Sequence, residues 1–373
     1  MYHMKKILFP IISLMICVVM IESAARFVHL LFPIYKDKTS VWVEHSTFHH
    51  WHKANADGIS RADTGEYNVS VRTNSLGMAG KERTVEKQEG VYRIALLGDS
   101  FVEGFTTNES DSIAEVLEKQ LNESKAGKHE VLNFGCSSFS PSLEYYLLKE
   151  LVHKFRPDMI VLLFHVTDVS NDWEYEKAKV TDLNGRISGI NGYTNKGALY
   201  ALLEKSVFLR AVVQKFKLIK KLRRLDVDKE YHLTDSYFAM FKDEYSELDL
   251  NAWELTQSYI TRIREWADNA GAPFLIVAIP VGPQVEELVR NSDVELKFPK
   301  DWQNLQSTKM QDILYEWSKS EGVDYLDLLP YATAYKENNM DEILFYPLDQ
   351  HFTSSGNRVA ARSIYEKIIE IKE

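Results

Sequence analysis

From Tyr92 onward the chain alternates short apolar runs with longer amphipathic stretches, a pattern that few folds satisfy. The runs at 92–97, 130–134, 159–164, 274–279 and 323–326 are apolar almost throughout. A strand with one wet face would alternate, so these read as strands covered on both faces, the habit of parallel sheets. Parallel neighbours need a crossover between them, and 112–123, 141–154, 252–270, 305–320 and 355–372 have the helical spacing to supply it or to flank the sheet. Asp158, Gly271-Ala272-Pro273 and Gly322 punctuate the joins. The expectation is an α/β fold over 91–373: a doubly wound, five-stranded parallel sheet of flavodoxin-like type. The interval from about 170 to 250 is too long for one crossover and reads as an inserted helical cap.

The N-terminus obeys a different rule. After residues 1–6, with Lys5 and Lys6, comes an apolar run at 7–21 broken only by Pro10 and Ser13. Continued through Glu22 and Arg26 to Phe32, it is long enough for a tilted transmembrane anchor over 7–32. A cleaved signal peptide ending near Ser23-Ala24-Ala25 is the alternative. The positive flank places the N-terminus in the cytoplasm and the remainder outside the inner membrane in both cases. Residues 33–90, rich in aromatics, His and Gly, read as an extracytoplasmic strand-and-loop appendage.

Composition narrows the partners. With 45% hydrophobic and 26% charged residues the chain can bury a core, and a net charge of −10 argues against nucleic acid as a partner. Cys17 and Cys136 have no disulfide, redox or zinc spacing, so no cofactor or metal is expected. Within the insertion, 201–225 holds eight Lys or Arg against Glu204, with apolar residues at helical spacing. A lid helix with a solvated basic face is the plain reading; the alternatives are a face for anionic lipid or a guide for an anionic substrate.

Chemistry concentrates where the first core strand ends. Ile94-Ala95-Leu96-Leu97 runs into Gly98-Asp99-Ser100, which lifts a hydroxyl to the carboxyl edge of the sheet, where open α/β folds place their sites. A serine hydroxyl needs a base. Of eleven histidines, His351 stands in a loop after the last strand, with Asp349 two residues earlier to orient it. Ser100, His351 and Asp349 are therefore the candidate nucleophile, base and orienting acid.

At these residues the chain resembles the SGNH or GDSL serine hydrolases, over roughly residues 70–370. Gly98-Asp99-Ser100 matches the first block. The upstream Arg72-Thr73-Asn74-Ser75-Leu76-Gly77 looks like a segment that precedes it in membrane-anchored bacterial members. The resemblance implies an oxyanion hole formed by the backbone N–H groups of Ser100 and Gly135, the latter in Asn133-Phe134-Gly135-Cys136. Asp349, His351 and the trailing Gly356 match the last block in a short Asp-x-His form. The third block departs: Phe164-His165-Val166-Thr167-Asp168 puts Thr167 where the family carries an asparagine donor. Loss of such a donor typically costs about 2.7–4 kcal/mol of barrier, and Asn171 stands rather far from the strand to replace it. His165, ending an apolar strand, reads first as structural.

Two further groups are weighed. His45, His49, His50 and His52 surround Trp51, but no acidic ligands accompany them in that segment, so a metal is not expected. Tyr145, Tyr146, Trp173, Tyr175, Tyr193 and Trp302 offer stacking surfaces for a glycan, with core packing as the plain reading. The resemblance and location together imply a membrane-tethered, extracytoplasmic ester hydrolase. Its expected substrate is an O-acyl ester, foremost an O-acetyl group on a cell-envelope glycan. The same triad would serve an O-acetyltransferase, and the third-block departure also suits a catalytically weak binding protein with envelope assembly partners.

Overall fold

A computed structural model of the chain describes residues 2–31, 41–62, 65–124, 127–183, 187–192, 206–209, 211–212, 244–286 and 307–372. The first part comprises α1 (Tyr2–Leu31), β1 (Trp42–Glu44), β2 (His50–His52), β3 (Asp57–Arg61), β4 (Asn68–Arg72), β5 (Val91–Gly98), α2 (Ser100–Glu103) and α3 (Ile113–Glu123). It continues with β6 (Lys128–Gly135), α4 (Pro141–Glu150), β7 (Met159–Phe164), α5 (Thr167–Tyr175), β8 (Lys179–Thr181) and β9 (Ile187–Ile190). Last come α6 (Glu247–Ala270), β10 (Phe274–Ala278), α7 (Gly282–Val285), α8 (Lys309–Glu321), β11 (Asp324–Asp327), α9 (Leu329–Asn338) and α10 (Ser354–Lys372).

Five strands form one sheet in the order β11-β10-β7-β5-β6, and every pairing is parallel. Side-chain alternation explains why the runs are apolar throughout. Ile160, Leu162 and Phe164 of β7 face one core, while Met159, Val161 and Leu163 face the other. The first core is closed by α4, α6 and α8 through Leu147, Ile260 and Leu314, and the second by α3 and α10 through Leu117 and Ile364. Each such aliphatic side chain contributes about 1.5–3 kcal/mol by leaving water. This is the expected doubly wound α/β sheet.

Local chemistry sets the helix ends. Ser246 and Asp249 form a reciprocal capping box, so α6 starts at Glu247, before the expected 252. Gly271 and Gly322 end α6 and α8 in left-handed conformation (φ +67° and +66°), which a residue without Cβ adopts freely. The insertion expected from about 170 begins later, since 170–175 belongs to α5 and 187–190 pairs with 179–181. Most of the basic 201–225 segment, with Tyr193 and Trp302, lies outside the described residues.

Contacts divide the chain into two units, 1–37 with 194–229, and 38–193 with 230–373. In the first, Tyr2–Leu31 is one helix of 30 residues. The transmembrane span expected over 7–32 is not found: among the described residues no helix is long and apolar enough to cross a membrane. Pro10 lies within this helix, and Glu22 and Arg26 bring charge into its C-terminal half. Glu22 is occupied, accepting from Arg26 Nε (2.8 Å), Ser206 Oγ (2.7 Å) and Val207 N (2.9 Å). In the second unit β1–β2 and β3–β4 are antiparallel pairs of the appendage.

Candidate active site

The sharp turn after β5 has a steric cause. A Cβ on Gly98 would lie 2.4 Å from Val102 Cγ2, so only glycine lets α2 fold back this closely. Asp99 caps α2 by accepting from Phe101 N at 2.9 Å, which makes Ser100 the first helical residue, with no intrahelical acceptor for its N–H. The hydroxyl of Ser100 lies 2.7 Å from His351 Nε2. His351 arrives from a tight loop before α10, closed by Tyr346 N to His351 O (2.9 Å) and Gln350 N to Tyr346 O (2.8 Å). Gln350 takes φ +70° there, and His351 Nδ1 meets Asp349 Oδ1 at 2.6 Å. Ser100, His351 and Asp349 are thus joined in one hydrogen-bonded row at the carboxyl edge of the sheet.

The row is electrostatically consistent with proton transfer. A carboxylate only accepts, so His351 Nδ1–H donates to Asp349 and Nε2 is left to accept the Ser100 proton. Burial opposes charge on the imidazole, yet the hydrogen bond it donates to Asp349 and the charges of Asp349, Asp99 and Glu103 outweigh it and raise the His351 pKa. Burial likewise opposes ionisation of Asp349, and the bonds from His351 and Tyr67 overcome it, holding the carboxyl below its usual range. Asp99 is pushed up to about 6, chiefly by burial, against the pull of Phe101 N–H and His351.

The N–H of Gly135 donates to Asn133 Oδ1 at 2.9 Å. Glycine is required there for packing: a Cβ would lie 2.2 Å from Glu103 N and 2.6 Å from the Val102 carbonyl carbon, against α2. The loop that follows carries Ser138, exposed and at φ +64°, the left-handed region that non-glycine residues rarely enter. Its carbonyl accepts from Tyr175 OH (2.8 Å) and Asn171 Nδ2 (3.4 Å), which explains where Asn171 is spent.

Thr167 opens α5 with its Oγ1 at 2.8 Å from His165 Nδ1. His165 is buried with its ring tilted against that of Phe101 at 4.8 Å, and the Phe101 centroid lies 5.0 Å from that of His351. Burial, aided by the charge of His351, pushes the His165 pKa down to about 3. The imidazole is therefore neutral at working pH and serves as a neighbour of Thr167 rather than as a charge.

Behind α2 lies a polar network that no motif announced. Glu103 accepts from His52 Nε2 (2.6 Å), Trp42 Nε1 (2.9 Å) and Ser137 Oγ, joining the appendage to the nucleophile's helix and the Ser138 loop. His52, Glu103 and Cys136 place donor atoms within 4.8 Å of one another, as metal ligands do. Their chemistry does not fit an ion. His52 Nδ1 is bonded to Gly77 O (2.8 Å), Glu103 is saturated with donors, and burial raises the Cys136 thiol far from thiolate. The other histidines are held locally: His45 Nδ1 accepts from Thr47 N (3.1 Å), while His49 Nδ1 meets His50 Nδ1 (2.8 Å) and His50 Nε2 donates to Ser137 O (2.7 Å). Of the candidate stacking aromatics, Tyr146 is core, Tyr145 packs against it (5.3 Å), and Trp173 is half-buried against the core.

Comparison with known proteins adds little to this geometry. No protein-family model matches the chain, and no curated protein matches its sequence. Among solved structures it is similar to an acetyl xylan esterase, at 12% identity over 74% of this chain and 98% of that one, with a TM-score of 0.39. It is similar too to an acetylxylan esterase from Geobacillus stearothermophilus (10%, covering 76% and 96%, TM-score 0.38). A GDSL-like lipase from Bacteroides thetaiotaomicron VPI-5482 gives 12% identity, 75% and 88% coverage and a TM-score of 0.36. Likenesses this distant carry no functional argument, and the side-chain geometry stands on its own.

Proposed function

We propose that the chain is a serine ester hydrolase of the SGNH/GDSL type. One observation carries this: Ser100 Oγ, His351 Nε2 and Nδ1, and Asp349 Oδ1 lie in sequence at 2.7 and 2.6 Å on the edge of a parallel sheet. His351 takes the Ser100 proton as the oxygen attacks an ester carbonyl, then returns it to the departing alcohol. Asp349 stabilises the imidazolium between the two steps. Water hydrolyses the acyl-enzyme by the same route reversed. The Ser100 N–H, at the positive end of α2, the Ser138 N–H and the Thr167 hydroxyl are the donors we assign to the oxyanion. The test is release of nitrophenol from an aryl acetate by the purified chain. Ser100→Ala should reduce kcat by about 10⁴-fold or more; a rate indifferent to that substitution sinks the mechanism.

The substrate class we propose is an O-acyl ester, foremost O-acetyl, borne on an envelope glycan. The triad is open to a polymer-borne ester, since the His351 and Asp349 side chains keep 28% and 23% of their exposure. The proposed setting is extracytoplasmic, with α1 as the membrane-seeking element. Phe9, Met15, Val18, Met20, Phe27 and Leu30 of that helix are exposed among the described residues, and Lys5 and Lys6 stand in its first turns.

A further inference from the structure

The triad's acid is held from outside its own loop. Asp349 uses Oδ1 for His351, and its other oxygen, Oδ2, accepts from Tyr67 OH at 3.3 Å. The residue before that tyrosine grips the backbone: Glu66 Oε1 accepts from Leu348 N at 2.7 Å and Oε2 from Asp349 N at 2.9 Å. The Tyr67 ring also packs 5.2 Å from that of Tyr346, at the other end of the same loop. The three hydrogen bonds from Glu66 and Tyr67 cross more than 280 positions of sequence, from the turn between β3 and β4 to the Asp-x-His segment.

We propose that Glu66 and Tyr67 are positioning residues of the hydrolase, through which the appendage sets the rotation of the Asp349 carboxylate and hence the aim of His351 at Ser100. An Asp-x-His loop has one residue of slack, and here that residue, Gln350, is in the left-handed region (φ +70°), which costs a non-glycine residue free energy. Within the loop, backbone bonds join Tyr346, Gln350 and His351, and the Asp349 carboxylate accepts from both the side chain and the backbone N–H of His351. Glu66 adds a restraint from outside the loop by accepting from two consecutive amides. Tyr67 holds Oδ2 from the side opposite His351, which further limits rotation about the Cβ–Cγ bond and leaves Oδ1 for His351 Nδ1. Burial and the neighbouring Asp349 raise the phenol pKa, so Tyr67 remains a donor throughout the working range.

This rests on the hydrolase reading above, and the experiment separates the two. Tyr67→Phe keeps the ring and removes the donor. With the aryl acetate, kcat should fall about 10-fold at unchanged KM, the scale of one hydrogen bond to a charged group. The acid limb of kcat/KM should move to higher pH, because an Asp349 relieved of its donor attracts the His351 proton more strongly. The groups facing this pair are Asp99, Glu103 and His165 around His351, and Tyr346 beside Asp349; all are retained in the variant, so the shift reports Tyr67. The His351 pKa, followed by NMR through the Nδ1–H resonance in the full chain, gives the same answer whether or not the ester is cleaved. Should Tyr67→Phe not fold, Glu66→Gln, which weakens the grip on two amides, should lower kcat at constant KM and broaden that resonance. An unchanged His351 pKa and kcat in the folded variants overturns the proposal. Absence of Ser100-dependent hydrolysis, with the NMR shift present, counts against the hydrolase reading alone.

Discussion

His351 sets the pH range in which this site can work. Its pKa is raised above the ordinary 6.5, and it must be neutral to accept the Ser100 proton, so activity is lost as pH falls through that raised value. The acid limb of kcat/KM is therefore expected above pH 6.5, and Asp349→Asn, which removes the main raising cause, should pull it down while cutting kcat by about 10⁴-fold. A limb at or below the ordinary value in the parent protein would contradict the electrostatics described here. Ser138 offers a separate check, because its φ of +64° is costly for serine and free for glycine. Ser138→Gly keeps the backbone N–H and should raise the Tm, by up to about 1 kcal/mol of stability after glycine's entropic cost, with hydrolysis retained. At this scale the motif residues were legible, since Gly98, Asp99 and Ser100 act through a turn built from their own neighbours. The bond from Gly135 N–H to the Asn133 side chain two residues away was not announced by any linear pattern.

Among the elements, α4 and α5 carry an unusual burden behind the sheet edge. Glu144, Asp168 and Asp172 are buried with Asp99, and burial raises all four pKa values, reinforced at Glu144 by the charges of Asp172 and Asp99 and at Asp168 by those of Asp99, Glu144 and Asp172. Among the described residues neither carboxyl oxygen of Glu144 has a hydrogen-bond partner. A carboxyl whose folded pKa is raised binds its proton on folding, so the folded state loses stability as pH rises above the unfolded value. Glu144→Gln should accordingly raise the Tm at pH 8, with the gain vanishing near pH 4, where the parent glutamate is protonated in both states. Equal gains at both pH values would show that packing, not ionisation, governs the site. The strands themselves were readable because double-sided burial writes itself as an unbroken apolar run. α5 was not anticipated, since Thr167–Tyr175 follows the strand with polar residues whose helical role depends on packing against α6.

For the whole molecule, the apolar surface of α1 predicts partition to lipid. The full-length chain should float with anionic phospholipid vesicles, and a chain lacking 1–31 should lose that partition while keeping Ser100-dependent hydrolysis; retention of flotation by the shortened chain would discount the helix. The apolar run of residues 7–21 was visible from hydropathy alone, whereas the bonds from Glu22 to Ser206 and Val207 join segments that no local pattern connects. The sequence by itself determined the winding of the sheet, the turn that raises Ser100 and the candidate partners Asp349 and His351. Periodicity and turn chemistry act between near neighbours, and the order of residues records them directly. Tertiary structure alone decided that Glu103 ties the appendage to α2 and that Glu66 and Tyr67 bond to the loop of the triad's acid. A hydrogen bond saturates its donor with whichever acceptor folding brings near, and that choice is made in space between groups that the chain keeps hundreds of residues apart.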